Sequence, residues 1–288
     1  MGMSALVGHW LWSLKERGAF DGCRSVFEFG PQSMLNPEPF RRFIRSRFRD
    51  RDAIAAFERD AFAADGNFVP DAQRAYYRLL GLDDYNAVDL EDPAANYKAN
   101  LNLPLKIDRR FDVSTNFGTA EHIFNIGQCF ADAHRLVRPG GLILYLLPTL
   151  GDWFHGFYSV HSVVYRSLAA ANNYEVLDLM YANDIVSASE RFDRTMRMPP
   201  LDDIRAREPR RQATRFFTSY FYSVATRTPR PAAYIFAAFR KKSDRPFAYP
   251  NQINNDYGKL PTVTAEPSPS NAKVLERSFD SLQDTPLS

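Results

Sequence analysis

The run Phe111-Asp112-Val113-Ser114-Thr115-Asn116-Phe117-Gly118-Thr119-Ala120-Glu121-His122 decides how the chain is read. Phe111 to Thr115 is a β-prone segment, the next residues form a polar loop, and from Ile123 the apolar positions return at helical spacing. An amide, a glycine, a carboxylate and an imidazole therefore follow a buried strand end within a few residues. Open α/β sheets gather their ligands at such ends. Asn116, Phe117, Gly118, Glu121 and His122 are the first candidate site residues.

Toward the carboxyl terminus, the spacing predicts a helix over Ile123 to Val137. Arg138-Pro139-Gly140-Gly141 should then stop it and turn the chain into a strand over Leu142 to Leu147. A helix over Val163 to Asn172 and a strand over Tyr174 to Met180 make the next unit, and Ala232 to Arg240 reads as a closing strand. Toward the amino terminus, Ser25 to Phe29 is a β-prone run that stops at Gly30-Pro31. Pro70 opens a helix over Asp71 to Leu80, and a strand over Tyr85 to Leu90 runs into Glu91-Asp92. Repeated strand-helix-strand alternation predicts an α/β fold, a doubly wound and mainly parallel sheet with helices on both faces.

Three of these strand ends carry further candidates. A buried strand ending in Gly30 lets a ligand approach the backbone, and Glu28 beside it can accept hydrogen bonds; an ordinary strand-to-loop exit has the same residues. Asp89 or Glu91 can take both hydroxyls of a ribose, or can cap a turn. After the strand at Leu142 to Leu147, the aromatic and glycine-bearing stretch from Gly151 to Tyr158 brings Trp153, Phe154, His155, Phe157 and Tyr158 to the same edge.

Composition bounds the rest. The 288 residues are 45% hydrophobic and 14% aromatic, enough for a sizeable core, and a net charge of +2 argues against a nucleic-acid partner. Cys23 and Cys129 are the only cysteines and have no metal-ligand spacing, which fits a reduced, cytoplasmic protein and no metal centre. Leu6 to Phe20 is interrupted by Gly8, His9, Lys15, Glu16 and Arg17, so it reads as a helix docked on the core, neither leader nor membrane span. Trp10 and Trp12 in that helix leave room for a homo-oligomer. Residues 36 to 68 read as a helical insertion in which Phe40, Phe43, Ile44 and Phe48 alternate with Arg41, Arg42, Arg45, Arg47, Arg49 and Arg51. It is either a lid presenting arginines to an anion or a solvated basic face with acidic partners.

Arg191 to Arg215, interleaved with Phe192, Phe216, Phe217 and Tyr220, fall in a second insertion, read as a solvated or interface segment. Proline, serine and asparagine dominate beyond Lys242, predicting an extended or disordered tail that packs only around Phe247, Tyr249 and Tyr257. The expected divisions are a helical segment over 1–21, a main domain over 22–245 with insertions near 36–68 and 183–231, and a tail over 246–288.

Glu28-Phe29-Gly30, Asp89, Phe111 to Gly118 and Leu136-Val137-Arg138-Pro139-Gly140-Gly141-Leu142 stand in the order of the motifs of class I S-adenosylmethionine-dependent methyltransferases. The chain resembles that family over roughly residues 22 to 182. The resemblance implies a Rossmann-like sheet of seven strands, the last of them antiparallel, and S-adenosyl-L-methionine as cofactor. It implies that Glu28, Gly30 and Gln32 line the amino-acid and sulfonium end and that Asp89 holds the ribose. Leu90 would flank the adenine, Asn102 would meet its amino edge, and Asn116, Phe117 and Gly118 would border the methyl-transfer site.

Glu121, His122, His155 and Tyr158 are then the candidates for acid-base work on a small-molecule or sugar-like acceptor. Gln32 stands where the family carries a second glycine, and the crossover after the first strand is longer than usual. These departures keep a non-catalytic, partner-binding module as the alternative. A nicotinamide-dependent oxidoreductase needs a glycine triplet that Gly30-Pro31-Gln32-Ser33-Met34 lacks.

Overall fold

The computed structural model describes residues 2–151, 155–183, 196–197 and 232–251. Trp153, Phe154, the arginine-rich stretch from Arg191 to Arg215 apart from 196–197, and Tyr257 lie outside them. In chain order the elements are β1 (Gly2–Met3), α1 (Ala5–Glu16), β2 (Ser25–Phe29), β3 (Ser33–Met34), α2 (Pro37–Arg47), α3 (Arg51–Ala61), α4 (Ala72–Leu79), β4 (Asp84–Asp89), β5 (Tyr97–Lys98) and β6 (Phe111–Phe117). A 3-10 turn (Ala120–His122), α5 (Ile126–Leu136), β7 (Val137–Gly151), α6 (Ser162–Asn172), β8 (Tyr174–Asn183), β9 (Met196–Arg197) and β10 (Ala232–Lys241) follow.

The principal sheet has the order β5-β4-β2-β6-β7-β10-β8-β9. β5, β4, β2, β6 and β7 are mutually parallel, while β10 runs antiparallel to both β7 and β8. This is the doubly wound, Rossmann-like sheet expected, with an antiparallel strand inserted next to last and the two-residue β9 added at the edge. From β2 the chain first builds outward to β4 and β5, then crosses back to β6 on the other flank. The point of reversal lies between β2 and β6, where a doubly wound sheet opens a crevice at its carboxyl edge.

Burial on both faces explains the long apolar runs in the sequence. Leu142, Leu144 and Leu146 join Val113, Phe117 and Phe236 under α1 to α4, whereas Ile143, Tyr145 and Leu147 join Phe27, Phe111 and Phe239 under α5 and α6. The amino-terminal helix docks as expected: Trp10 is fully buried and its indole N–H donates to Asp178 on β8 at 3.1 Å. Gly8 does not break this helix. A Cβ there would lie 2.9 Å from Phe40, so the glycine lets α1 and α2 approach closely, and the Tyr76 hydroxyl donates to its carbonyl at 2.6 Å.

The predicted turn at Arg138 to Gly141 requires correction. The helix does stop at Leu136, but the chain enters β7 at once, with Val137 opposite Phe111 and a register shift before Leu142 pairs with Val113. Proline and glycine mark this bulge for the same backbone reasons that they mark turns. A Cβ on Gly141 would lie 2.5 Å from the Asp112 carbonyl oxygen, so glycine is what lets the two strands close. Helix α5 also starts later than predicted, at Ile126: the residues after Gly118 form a 3-10 turn that ends at His122, and the chain passes through extended backbone at Ile123 before the helix begins.

The first insertion takes its solvated form. Phe40, Phe43, Ile44 and Phe57 are buried, and Arg41 and Arg45 pair with Glu38 and Glu58 at 2.6 and 2.7 Å. Asp50 caps α3 by accepting from the Asp52 and Ala53 amides. At the far end, Phe247 packs beside the second core face, and the Asn172 side chain exchanges two hydrogen bonds with the Ala248 backbone. No described helix is long and apolar enough to cross a membrane.

Candidate active site

Gly30, Asp89, Gly118 and the segment after Gly151 all leave parallel strands at the same edge of the sheet. Phe29 and Asn116 are paired in register at the ends of β2 and β6. The sequence therefore brings its candidates to the point of reversal, but their side chains divide into several roles.

Glu28 is fully buried and is held by its own chain. The Tyr77 hydroxyl donates to one carboxylate oxygen at 2.6 Å, while the Tyr85 hydroxyl and the Gln32 amide donate to the other at 2.5 and 3.1 Å. Burial pushes its pKa up to about 7 even though these hydrogen bonds favour the carboxylate. The expectation that Glu28 lines a ligand is replaced by a structural role: it holds the loop after β2 through Gln32. Tyr77 and Tyr85 lie 49 and 57 residues away, and nothing in local sequence announces them.

Gly30 has φ of +71°, and a Cβ there would lie 2.4 Å from the Thr119 hydroxyl. That hydroxyl donates to the Phe29 carbonyl at 2.7 Å. The group that approaches this glycine is thus Thr119, not an open space for a ligand. Thr119, in the polar loop after β6, is not among the expected site residues.

Gln32 is buried, with its side-chain N–H on the Gly30 carbonyl at 2.9 Å. Its oxygen Oε1 is buried without a hydrogen-bond partner. Asn116 shows the reverse. Its oxygen accepts from the Thr119 and Ala120 amides at 3.3 and 3.0 Å, nucleating the 3-10 turn, while its buried Nδ2 has no partner. Among the described residues, one acceptor on the loop after β2 and one donor at the end of β6 are therefore left unsatisfied at the point of reversal, and such groups are costly unless something pairs with them.

Asp89 spends one oxygen on its own turn, accepting from the Glu91 and Asp92 amides at 2.9 Å each. No described residue donates to the second oxygen. Leu90 beside it is 59% exposed, a large apolar side chain at the rim. Asn102 does not face that rim: its oxygen accepts from the Asn125 amide at 2.9 Å and its Nδ2 donates to Asn100 at 3.0 Å, tying the preceding loop to α5. Phe117 is likewise core, fully buried with its ring 6.0 Å from that of Trp10. Gly118, at φ of +86°, supplies the backbone reversal after β6.

The acid-base candidates do come together. Glu121 is completely buried on the 3-10 turn, and its Oε1 lies 3.9 Å from His122 Nε2 and 3.6 Å from His155 Nε2. The two imidazoles meet edge to face, 4.6 Å apart. Backbone contacts fix this meeting of separate segments: the Glu121 carbonyl accepts from the Phe157 and Tyr158 amides at 2.8 and 3.3 Å, and a Cβ on Gly156 would lie 2.8 Å from the same oxygen. Tyr158 leaves the group, since its hydroxyl donates to the Phe124 carbonyl at 2.7 Å and latches the two loops. Phe124 and Phe157 stand beside it, 71% and 64% exposed, as an edge-to-face pair 5.7 Å apart.

No protein-family model matches the chain, and no curated protein matches it. Solved structures overlap with it loosely. A Galdieria sulphuraria protein provisionally assigned as a sarcosine dimethylglycine methyltransferase is 14% identical, with 82% of this chain and 85% of that one aligned and a TM-score of 0.44. The O-methyltransferase of a Brevibacillus brevis polyketide synthase, solved with S-adenosyl-L-homocysteine, is 10% identical over 79% and 72% at 0.38. A Haemonchus contortus phosphoethanolamine N-methyltransferase is 11% identical over 82% and 53% at 0.41. Overlaps of this size leave the chemistry to be read from the chain itself.

Proposed function

We propose that the chain transfers a methyl group from S-adenosyl-L-methionine to an oxygen or nitrogen of a small-molecule or sugar-like acceptor. The observation that carries this reading is the pair of unsatisfied buried atoms at the point of reversal. Gln32 Oε1 suits an ammonium and Asn116 Nδ2 suits a carboxylate, so together they match the two charged groups of an amino acid. The second oxygen of Asp89 suits ribose hydroxyls, and exposed Leu90 suits an adenine face. The donor set thus fits the cofactor at both ends, through Gln32, Asn116, Asp89 and Leu90; Glu28, Gly30, Asn102 and Phe117 act behind them. No helix starts at the glycine turn. The chain runs on into β3, which pairs with β1, so the helix N-terminus that would hold a dinucleotide pyrophosphate is missing there.

When bound, the cofactor supplies an already activated methyl, so the protein's task is alignment and exclusion of water. Phe124 and Phe157 would hold an acceptor at the rim, and His122 or His155 would take its proton, each within 4 Å of a buried carboxylate able to stabilise the resulting imidazolium. The test is release of S-adenosyl-L-homocysteine across sugar, amine and phenol acceptors, in wild type and in His155→Ala. Acceptor-dependent release lost in the variant supports the reading. A second reading, a partner-binding module without turnover, draws on Thr119 covering Gly30 and on Gln32 folded into its own loop. Cofactor binding with no release on any acceptor would favour it.

A further inference from the structure

The cluster that the sequence assigned to proton transfer has the composition of a metal site. We infer that Glu121, His122 and His155 bind one divalent transition-metal ion, zinc being the first choice, at the carboxyl ends of β6 and β7. This departs from the metal-free expectation and stands independently of methyl transfer.

Among the described residues these three form a group whose donor atoms all lie within 4.8 Å of one another. Two ligand atoms held about 2.1 Å from a tetrahedral ion are separated by roughly 3.4 Å. The distances from Glu121 Oε1 to the two Nε2 atoms, 3.6 and 3.9 Å, exceed that by only a few tenths of an ångström. Both imidazoles bring the same nitrogen toward the same carboxylate oxygen, so the three donors share one focus. Closing the remaining separation, with all three donors within 4.8 Å of one another, falls on His122, whose side chain is 40% exposed, against a carboxylate that is completely buried.

The framework behind the donors is stiff. The Asn116 oxygen starts the turn that carries Glu121 and His122, and the close passage of Gly156 over the Glu121 carbonyl fixes where His155 arrives. Donor chemistry selects the metal class. Two imidazoles and one carboxylate suit zinc and other late first-row ions, while magnesium and calcium prefer all-oxygen shells. Three protein ligands leave at least one coordination position, and the histidines are the solvent-facing members of the group. That position therefore lies on the solvent-facing side of the buried carboxylate. If the methyl-transfer reading holds, a metal there would polarise an acceptor hydroxyl in place of proton uptake by His122 or His155, whose Nε2 atoms would then be ligands; this role rests on that reading, whereas binding of the ion does not.

The test uses the full chain, stripped with a chelator and titrated with Zn²⁺, Co²⁺ and Mg²⁺ by calorimetry, with metal content measured after desalting. The expected result is one Zn²⁺ per chain, Co²⁺ absorption in the visible range, and no saturable Mg²⁺ binding. His122→Ala and His155→Ala should weaken Zn²⁺ by about a hundredfold or more. Because Glu121→Gln alters a buried group, the exposed His122→Ala, with its thermal midpoint unchanged, is the decisive variant. His161→Ala, outside the cluster, should bind as wild type. Absence of stoichiometric binding to wild type, or binding undiminished in both histidine variants, would overturn the inference.

Discussion

Replacing Gly30 by alanine separates two accounts of why a glycine ends β2. An L-residue at φ of +71° costs about 1 to 2 kcal/mol in backbone strain. The new Cβ, 2.4 Å from the Thr119 hydroxyl, must also displace that group from the Phe29 carbonyl, forfeiting about 1 kcal/mol for the hydrogen bond and about 1 to 2 for crowding. Gly30→Ala should therefore destabilise by about 3 to 5 kcal/mol. Thr119→Ala alone should cost about 1 to 2. In the double variant the crowding is gone, since the Thr119 Cβ lies an ordinary 3.5 Å from the added carbon, and only the strain adds to the Thr119 loss. Urea unfolding of the four proteins should show the double variant more stable than additivity requires, by about 2 kcal/mol. Additive effects within about 0.5 kcal/mol would refute the claim that Thr119 is what the glycine accommodates.

Glu28→Gln should reshape the pH profile of stability. Glu28 keeps its proton up to about pH 7 in the folded chain but loses it near 4.5 when unfolded, so its contribution is greatest below pH 4.5 and declines as pH rises to about 7. Wild type should lose roughly 3 kcal/mol relative to the variant across that window; an equal gap in urea stability at pH 5 and pH 8 would contradict it. Asp89→Asn should weaken S-adenosyl-L-homocysteine by about tenfold or more in equilibrium titration without changing the melting temperature, and unchanged affinity would remove Asp89 from the ribose. Trp10→Phe loses the donor to Asp178, which Arg17 still pairs, and should cost about 1 to 3 kcal/mol in denaturant while leaving ligand binding intact.

The layered fold was legible because burial on both faces leaves strand-sized apolar runs, and Leu142 to Leu147 supplies alternate residues to opposite cores. Helix termination at Leu136 was also readable, whereas the bulge that follows was not: Pro139 to Gly141 meets the requirements of a turn and a bulge equally well, and only the partner strand decides. At the site, the placement of strand ends followed from sequence, and Glu121, His122 and His155 were brought together as a group. What escaped was which side chains the chain uses on itself. Glu28 looked like a ligand because its partners, Tyr77 and Tyr85, come from distant elements. Asn102, Phe117 and Tyr158 similarly have partners fixed only by tertiary packing. Gly156 was read as part of an aromatic loop, while its absent Cβ is what seats His155 against Glu121.

The central claim is that Gln32, Asn116 and Asp89 together form the seat of an adenosyl amino acid. Calorimetric titration of S-adenosyl-L-homocysteine into the full chain tests it most directly, with Gln32→Ala, Asn116→Ala and Asp89→Ala alongside. The account predicts saturable binding of one molecule per chain, weakened in each of the three variants. Absence of binding to well-folded wild type, or equal affinity in all three variants, would contradict it.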